Sequence, residues 1–479
     1  MHEPLMCSIA GVCSKSGKGV SRQLFQLLST TQHRGPQAFG VKTPEAEKKV
    51  KTLKALLPLP ESYIALGHCL LSTTGFGVQP LSSGNVSIAH NGQIYNFEQL
   101  NSSGKKLSSD SEVIAHFFSE RLASKPIEKV LKEFMLEAEG EYAVGLLHGE
   151  KLYAFRDVLG LKPVWFGEND SLCAFASEPH ALMKLDMQFP QPLPPGHLLE
   201  ISPQGLRVEK IFSLEDFRKT VPEKYSPEKL KSEFEKAISM QTQGLKKAAV
   251  LFSGGVDSSL VAKAVSEKVS HTKLFVAGVK GSPDVESAKK AAKELGLELE
   301  IVSLDEKKVS SLAFRAMKIL SFFDEMQVSI AVPELACAEQ IKEQGFKVVF
   351  SGQGSDEIFA GYSNYAKALK EQGFEGVEEE IWLSLSRMWS RNFYRDDAIL
   401  ARNSLELRVP FVALNFLREA LAFPAREKIL SENDALRKHP LRALARSYGI
   451  PEPIASKPKH AMQYGSGAQK IVSKLFRGS

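Results

Sequence analysis

The residues best suited to chemistry lie in the segment 253–259, which has the sequence SGGVDSS. The apolar run 248–252 before it is typical of a buried parallel strand, and a helical pattern begins at Leu260. Glycines let a backbone approach a ligand closely, and free N–H groups at a helix start attract an anion. A carboxylate beside phosphate is repulsive unless a metal ion lies between them, so Asp257 predicts a magnesium ligand. The segment indicates a pyrophosphate-binding loop; an ordinary strand-to-helix turn is the simpler alternative.

This loop resembles the SGG-x-DSS motif of the ATP pyrophosphatases, which form an acyl-adenylate and release pyrophosphate. Two later sequences, FVAGVKGSPD and FSGQGSDEIFAGY, resemble the synthetase domain of asparagine synthetases. The resemblance implies that Ala277 lies near adenine and that Asp356 is a second magnesium ligand, although Asp356 alone would be a solvated helix start. The resemblance also implies contacts of ATP with Leu251, Ser253, Gly254, Gly255, Asp257, Ser258, Ser259, Ala277, Ser351 and Gly352.

The C-terminal part resembles the same family in two more places. In the sequence ELRVPF, we expect Glu406 and Arg408 to form an ion pair. The later sequence SKPKHAMQYGSG matches a lysine-bearing loop of these enzymes. A lysine there can neutralise the charge that develops when the α-phosphate is attacked, so Lys459 is the first catalytic candidate and Lys457 the second.

Cys7 begins a second group of chemically active residues, in the N-terminal half. The sequence MCSIAG around it resembles the start of class II glutamine amidotransferases, whose N-terminal cysteine attacks glutamine. The α-amine of that cysteine takes up the thiol proton, because its pKa near ~8 is close to that of the thiol. Cys7 meets this requirement if the residues before it are removed, or if Met6 is the initiator and is trimmed. Otherwise this half is inactive.

Three further sequences, QHRGP, HNGQIYN and SDSEVI, resemble the same amidotransferases in the same order. The resemblance implies that Arg34 binds the α-carboxylate of glutamine, a group that a planar guanidinium binds bidentately. It implies that Asn91 and Gly92 form the oxyanion hole. Gln93 and Asp110 are assigned to the substrate amine. Each motif considered alone has a simpler interpretation: an arginine in a turn for QHRGP, an Asn-Gly hairpin turn for HNGQIYN and a helix N-cap for SDSEVI.

Four positions depart from the family patterns. Gln37 and Gln93 replace acidic residues of the amidotransferase motifs, and Ala413 replaces an aspartate. Losing the carboxylate at position 93 predicts a weaker hold on the glutamine amine. Gln353 stands where many asparagine synthetases have glutamate, and a neutral amide cannot act as a base. The acceptor acid therefore stays open.

Length and composition narrow the class of protein. A chain of 479 residues predicts two or three domains. The formal charge of +5 gives no reason to propose nucleic-acid binding, and no apolar run approaches the ~20 residues that cross a bilayer. Five scattered cysteines argue against a disulfide framework or a zinc site, and no signal peptide is recognisable. We expect a cytoplasmic protein without a membrane or nucleic-acid partner, and a homodimer stays open.

The periodicity of the chain changes near its middle. Residues 7–210 show short alternating strands and few helices, which together with the resemblance indicate an α+β N-terminal-nucleophile glutaminase domain of two packed antiparallel sheets. Residues 211–226 are polar and interrupted by proline, as in a linker. In residues 227–479, alternating strands and helices indicate an α/β doubly wound parallel-sheet synthetase domain with a helical C-terminal part.

The resemblance as a whole implies a glutamine-hydrolysing asparagine synthetase. Glutamine, aspartate and ATP would be its substrates, with Mg²⁺ as the metal ion. Ammonia would pass between the domains and displace AMP from β-aspartyl-AMP, and a dry route would keep it unprotonated. Two alternatives stay open: a ligase of the same architecture that adenylates another acid, as β-lactam synthetases do, and a non-catalytic nucleotide-binding relative.

Overall fold

The computed structural model describes residues 6–71, 77–101, 104, 107–321, 324–458 and 465–477. The chain divides into two compact units, Met1–Phe217 and Arg218–Ser479. Among the described residues, no helix combines the length and the apolar character that crossing a membrane requires. Each unit has its own sheets and its own predicted site, and each is described by itself below.

Unit 1 contains two antiparallel sheets. In its described part, the strands are β1 (Met6–Ser14), β2 (Ala38–Lys42), β3 (Glu47–Val50), β4 (Ile64–Leu71), β5 (Leu81–Ser83), β6 (Val86–Ile94), β7 (Gly140–His148), β8 (Lys151–Arg156), β9 (Trp165–Glu168), β10 (Leu172–Ala176), β11 (Gln191–Pro192), β12 (His197–Ser202) and β13 (Gly205–Lys210). The first sheet has the order β11-β9-β10-β1-β4-β2-β3, and the second has the order β13-β12-β8-β7-β6-β5.

Helices cover the outer faces of this pair of sheets. The helices described in unit 1 are α1 (Ser21–Thr31), α2 (Phe97–Leu100), α3 (Asp110–Leu122), α4 (Ile127–Glu137), α5 (Pro179–Met183) and α6 (Leu214–Arg218), with a 3-10 turn at Leu53–Leu56. Helices α1 and α5 pack on the first sheet and α3 packs on the second, while the sheets contact each other through β1, β4, β6 and β7. This arrangement confirms the predicted pair of packed antiparallel sheets.

The core of unit 1 lies between the two sheets. Buried side chains from the first sheet, such as Ile9 and Leu66, meet Ala89 and Ala143 from the second sheet. Their period-two alternation along each strand explains why the sequence showed short alternating runs. Helix α1 runs to Thr31, whose side chain is buried.

The predicted linker is not unstructured throughout. Helix α6 lies inside it, and its start is a capping box: the Ser213 hydroxyl accepts the N–H of Asp216 at 3.2 Å. In return, the Asp216 carboxylate accepts the N–H of Ser213 at 3.0 Å. Phe217 on this helix is buried. The proline-interrupted composition concealed a short helix that is stabilised by its cap and by one apolar anchor.

Unit 2 is built on one parallel sheet. Its described strands are β14 (Lys247–Leu251), β15 (His271–Val279), β16 (Leu299–Leu304), β17 (Val348–Phe350) and β18 (Glu406–Arg408). They lie in the order β16-β15-β14-β17-β18, and every pairing is parallel. The chain starts at the central strand β14, builds outward to β16, and then crosses to the other side with β17. The switch point between β14 and β17 is where such sheets bind ligands.

Helices make up most of the rest of unit 2. In its described residues they are α7 (Pro227–Thr242), α8 (Val256–Ser266), α9 (Pro283–Leu295), α10 (Glu306–Leu320), α11 (Glu325–Glu343), α12 (Ser355–Ile358), α13 (Ser363–Met388), α14 (Tyr394–Ala401), α15 (Leu414–Leu421), α16 (Ala425–Lys428), α17 (His439–Ser447), α18 (Glu452–Ala455) and α19 (Gln469–Arg477). A π-helical turn (Trp389–Phe393) and a 3-10 turn (Pro410–Val412) complete them. The predicted parallel sheet with a helical C-terminal part is confirmed.

One strand in this helical part escaped prediction. Strand β18 has three residues, two of them charged, so neither its length nor its composition resembles a buried strand. The charges are tolerated because they neutralise each other: Arg408 Nε lies 3.1 Å from Glu406 Oε1, and both side chains are buried. The predicted Glu406–Arg408 ion pair therefore forms, and it allows a charged segment to extend the sheet.

Phe175 on β10 fills the space between the sheets of unit 1 by lying over two glycines. It pairs with Gly11 on β1, and its ring also covers Gly145 on β7. A Cβ atom at residue 145 would lie 2.7 Å from Phe175 Cζ and 2.9 Å from Leu66 Cδ1. Both distances are well below van der Waals contact.

We expect Gly145→Ala to lower the free energy of unfolding by about 1–3 kcal/mol, because the ring cannot retreat from a packed core. Urea denaturation checks the change. Adding Phe175→Leu should make the double variant more stable than the sum of the two single changes predicts. A Gly145→Ala chain with wild-type stability would show that the ring has room to move.

Candidate active sites

The loop after β14 forms one wall of a cavity in unit 2. Helix α8 begins at Val256 directly after the glycines, so its free N–H groups face the loop. Gly254 adopts φ +68°, and a Cβ atom there would lie 2.6 Å from the backbone carbon of Ser287. The tight approach of loop and helix α9 therefore requires glycine. The cavity has a volume of about 740 Å³, which suits a ligand the size of a nucleotide.

Most of the predicted ATP contacts line this cavity. Those that do are Leu251, Ser253, Gly254, Gly255, Asp257, Ser258, Ala277, Ser351 and Gly352. Ser259 is the exception, because it lies further into helix α8, is fully buried in the core, and does not line the cavity. The structure therefore does not support the predicted contact of Ser259 with ATP.

The two predicted metal ligands, Asp257 and Asp356, contact the same lysine. Lys438 Nζ lies 2.8 Å from each carboxylate oxygen of Asp257 and 2.7 Å from Asp356 Oδ1. It also donates a hydrogen bond to the Ser355 hydroxyl at 3.1 Å. The two carboxylates thus converge on a single cation. Lys438 and its neighbour Arg437 both adopt the left-handed backbone conformation, with φ values of +54° and +47°.

A second charged cluster lines the same cavity. Arg395 Nη2 lies 2.6 Å from Asp396 Oδ1, and Arg395 Nη1 donates to the side-chain oxygen of Gln327 at 2.8 Å. Glu334 on α11 approaches the same guanidinium at 3.7 Å. Gln353 also lines the cavity, and its backbone N–H binds the Ser351 hydroxyl. This cluster was not predicted.

The two lysine candidates differ in what the structure describes. Lys459 lies outside the described residues. Lys457 lines the cavity, and its ammonium binds the hydroxyl of Ser287. Burial lowers the pKa of Lys457, and Asp284 partly opposes that shift. A lysine thus lies on the side of the cavity that helix α9 forms.

In unit 1, the predicted glutamine site is assembled around Cys7. The backbone N–H of Cys7 donates to Asn91 Oδ1 at 3.2 Å, which joins β1 to β6. Arg34 Nε donates to the carbonyl of Cys7 at 3.2 Å. The side chains of all three residues are fully buried. Three residues that are far apart in sequence therefore meet at one point.

The guanidinium of Arg34 is balanced by a carboxylate that was not predicted. Glu178 lies 3.3 Å from Arg34 Nη1 and 2.9 Å from His33 Nε2. Burial alone would raise the pKa of Glu178, but its interactions with His33 and Arg34 outweigh burial and lower the pKa to about 2. Glu178 is therefore ionised at neutral pH and holds Arg34 in place.

The remaining predicted glutamine contacts lie on β6 or are hydrogen-bonded to it. Asp110 starts helix α3, and its Oδ2 accepts the N–H of Ile94 at 3.0 Å. Gln93 stands opposite Glu141 in the neighbouring strand. Gly92 adopts φ +135°, and a Cβ atom there would overlap the carbonyl of Glu141. Glycine is therefore required at the predicted oxyanion hole, whose backbone conformation other residues rarely adopt.

Sequence reasoning missed three kinds of residue in these sites: Glu178, Lys438, and the cluster of Glu334, Arg395 and Asp396. Glu178 lies in SEPHA and Lys438 in RKHPL, which carry no pattern of their own. The cluster has one signal in the sequence: two aspartates directly follow an arginine at residues 395–397. All three residues are buried, and acidic residues are rarely buried without a partner of opposite charge.

The fold and the two sites define a two-part amidotransferase: a glutamine-type unit with a candidate cysteine nucleophile, and a parallel-sheet unit with a pyrophosphate-type loop. Family models agree. A glutamine amidotransferase domain matches residues 6–201, and the asparagine synthase model matches residues 229–378 and 370–477. The chain belongs to the asparagine synthase family, which makes it a carbon–nitrogen ligase.

Relatives cover most of the chain. It is 28% identical to "Putative asparagine synthetase [glutamine-hydrolyzing] 1" of Methanocaldococcus jannaschii, over 98% of this chain and 96% of that protein. It is 29% identical to "Asparagine synthetase [glutamine-hydrolyzing] 2" of Oryza sativa, over 89% and 71%. A solved glutamine phosphoribosylpyrophosphate amidotransferase from B. subtilis is 17% identical, with a TM-score of 0.39 over 78% of this chain and 79% of that one. A likeness that weak carries no argument.

We expect Glu178→Gln to destabilise unit 1 at neutral pH by about 3 kcal/mol, because Arg34 loses its buried counter-charge. The pKa of Glu178 is lowered in the folded chain, so its contribution is present above pH 4.5 and is lost as pH falls toward 2. Urea denaturation at pH 7 and pH 4 measures it: the gap between wild type and variant should narrow by about 1 kcal/mol. A gap that is equal at both pH values would contradict the ion-pair explanation.

Proposed function

We propose that the protein amidates aspartate to asparagine at the expense of ATP, with ammonia from glutamine. Cys7 attacks the amide carbon of glutamine, and a thioester forms as ammonia leaves; water then releases glutamate. In unit 2, the β-carboxylate of aspartate attacks the α-phosphate of ATP, which forms β-aspartyl-AMP and expels pyrophosphate. Ammonia displaces AMP and yields asparagine.

The observation that carries this proposal is the cavity at the switch point of the parallel sheet. A glycine loop and a helix start lie on one side of it, as pyrophosphate binding requires. Asp257 and Asp356 converge within it on one cation. Together these features suit a nucleotide whose leaving group is pyrophosphate.

Asp257 and Asp356 fit magnesium, because both already direct their oxygens at one positive charge. Among the described residues there is no group of three or more His, Cys, Asp or Glu side chains that could hold a metal ion. Magnesium commonly binds one or two carboxylates and completes its shell with water and substrate phosphates. A bound ion would neutralise the developing charge on pyrophosphate.

The protein's own residues supply the rest of the chemistry. The N–H groups of the loop 253–258 orient the phosphates, and Lys457 offers positive charge beside them. In unit 1, Arg34 binds the glutamine α-carboxylate and Asn91 binds the oxyanion. While Met6 precedes Cys7, the nitrogen of Cys7 is a peptide amide, which cannot take up the thiol proton. We therefore propose that the active form begins at Cys7.

Pyrophosphate release with ATP, Mg²⁺ and a panel of carboxylic acids tests the assignment. We expect aspartate to elicit release at millimolar concentration, and asparagine to accumulate when ammonia is added. A different acid that elicits release while aspartate does not would move the protein to another ligase of the same architecture. Asp257→Ala serves as the control for adenylation, since it removes a metal ligand.

We expect Cys7→Ala to abolish glutamine-dependent synthesis and to leave ammonia-dependent synthesis within about twofold of wild type, because the thiol is the nucleophile of unit 1 alone. Cys13→Ala is a matched control on the same strand, where a buried thiol is also lost. Steady-state rates with each nitrogen source check both variants. Equal loss of the two activities in Cys7→Ala would assign Cys7 a structural role.

A further inference from the structure

The cavity in unit 2 has a second charged region that the adenylation chemistry does not use. Helix α11 presents Ile330, Pro333, Glu334 and Cys337 to the cavity, a spacing that corresponds to one face of a helix. Among them, Glu334 is the charged residue. Its side chain is 8% exposed, so it lies almost wholly inside the protein.

Glu334 is not needed to neutralise Arg395. Asp396 already contacts that guanidinium at 2.6 Å, whereas Glu334 approaches it at 3.7 Å, too far for a hydrogen bond. Within the part of the chain that the structure describes, Glu334 Oε1 is buried without a hydrogen-bond partner. A buried carboxylate oxygen without a hydrogen-bond partner is costly, and a donor group on a ligand in the cavity would satisfy it.

The charges of the cluster point to a cation. Two carboxylates, Glu334 and Asp396, face one guanidinium. Burial raises the pKa of Glu334, and the nearby Asp396 carboxylate raises it further. Burial also raises the pKa of Asp396, although Arg395 opposes that shift. The ionised form of Glu334 is therefore disfavoured while Arg395 is the only described cation beside the two carboxyls, and a second positive group entering the cavity at Glu334 would favour that form and be stabilised by it.

We propose that Glu334, together with Asp396, binds the α-ammonium group of the acceptor acid and so selects an amine-bearing carboxylate. The inference rests on the proposed function, because it assumes that the acceptor occupies this cavity beside ATP. An ammonium donates three hydrogen bonds, which suits an oxygen pair from two carboxylates. Glu334 is then a specificity residue that touches the substrate without taking part in bond making.

The test compares aspartate with succinate, which has the same carbon chain and both carboxylates but lacks the ammonium. Pyrophosphate release is measured for wild type, Glu334→Gln and Glu339→Gln. Glu339 is a matched control, because it lies on the same helix, pairs with Arg315 and does not line the cavity. The KM for ATP and the melting temperature of each variant report whether the cavity keeps its shape.

We expect Glu334→Gln to raise the KM for aspartate by about 30-fold or more, since it removes a buried charge partner, while kcat changes little. The kinetics with succinate should stay as in wild type, so the preference for aspartate over succinate collapses. Glu339→Gln should keep the wild-type preference. Equal losses with both acids in Glu334→Gln, or a raised KM for ATP, would assign Glu334 a structural role and overturn the inference.

Failure of the inference and failure of the aspartate assignment give different results. If wild type ignores aspartate but prefers another amine-bearing acid over its deaminated counterpart, the aspartate assignment fails and the ammonium site stands. If wild type releases pyrophosphate with aspartate and succinate equally well, the ammonium site fails and the ligase assignment stands. If no acid elicits release, both fail.

Discussion

Two aspartates in unit 2, from the first turns of helices α8 and α12, converge on one lysine. Like charges in a partly buried site repel strongly unless a cation lies between them. Three features of unit 2 make this arrangement possible: the sheet order, a glycine and a lysine. The sheet order brings the end of β14 next to the end of β17, although two strands and four helices separate them in sequence. Gly352 allows the second loop to approach the first closely, since a Cβ atom there would lie 3.1 Å from Asp257 Cβ. Lys438 supplies the positive charge that both carboxylates contact.

Unit 1 meets the same constraint with different residues. Arg34 is buried beside Cys7, and its guanidinium would be destabilising there without a counter-charge. Glu178 provides that charge from the start of α5, close to the strand β10 that pairs with β1. In both units, a charged residue of the predicted site contacts a partner of opposite charge. The partner comes from a different element, so the fold and the site depend on each other.

This dependence explains how much could be predicted from the sequence. Asp257, Asn91 and Arg34 could be predicted as site residues because each lies in a contiguous motif of the sequence. The sheet and helix patterns were recoverable for the same reason, since periodicity is local. Lys438 and Glu178 are single residues whose meaning depends on tertiary contact, so no local pattern reveals them. Strand β18 was missed because its charges are neutralised only in the folded chain.

The turn that carries Lys438 is unusual in its backbone. Arg437 and Lys438 follow each other in the left-handed region, which costs side chains other than glycine on the order of 1 kcal/mol each. The contacts of one ammonium group with Asp257, Asp356 and Ser355 oppose that cost. Asp257 lies in the first turn of α8, Asp356 lies in the first turn of α12, and Lys438 directly precedes α17. One ammonium group therefore joins the starts of three helices.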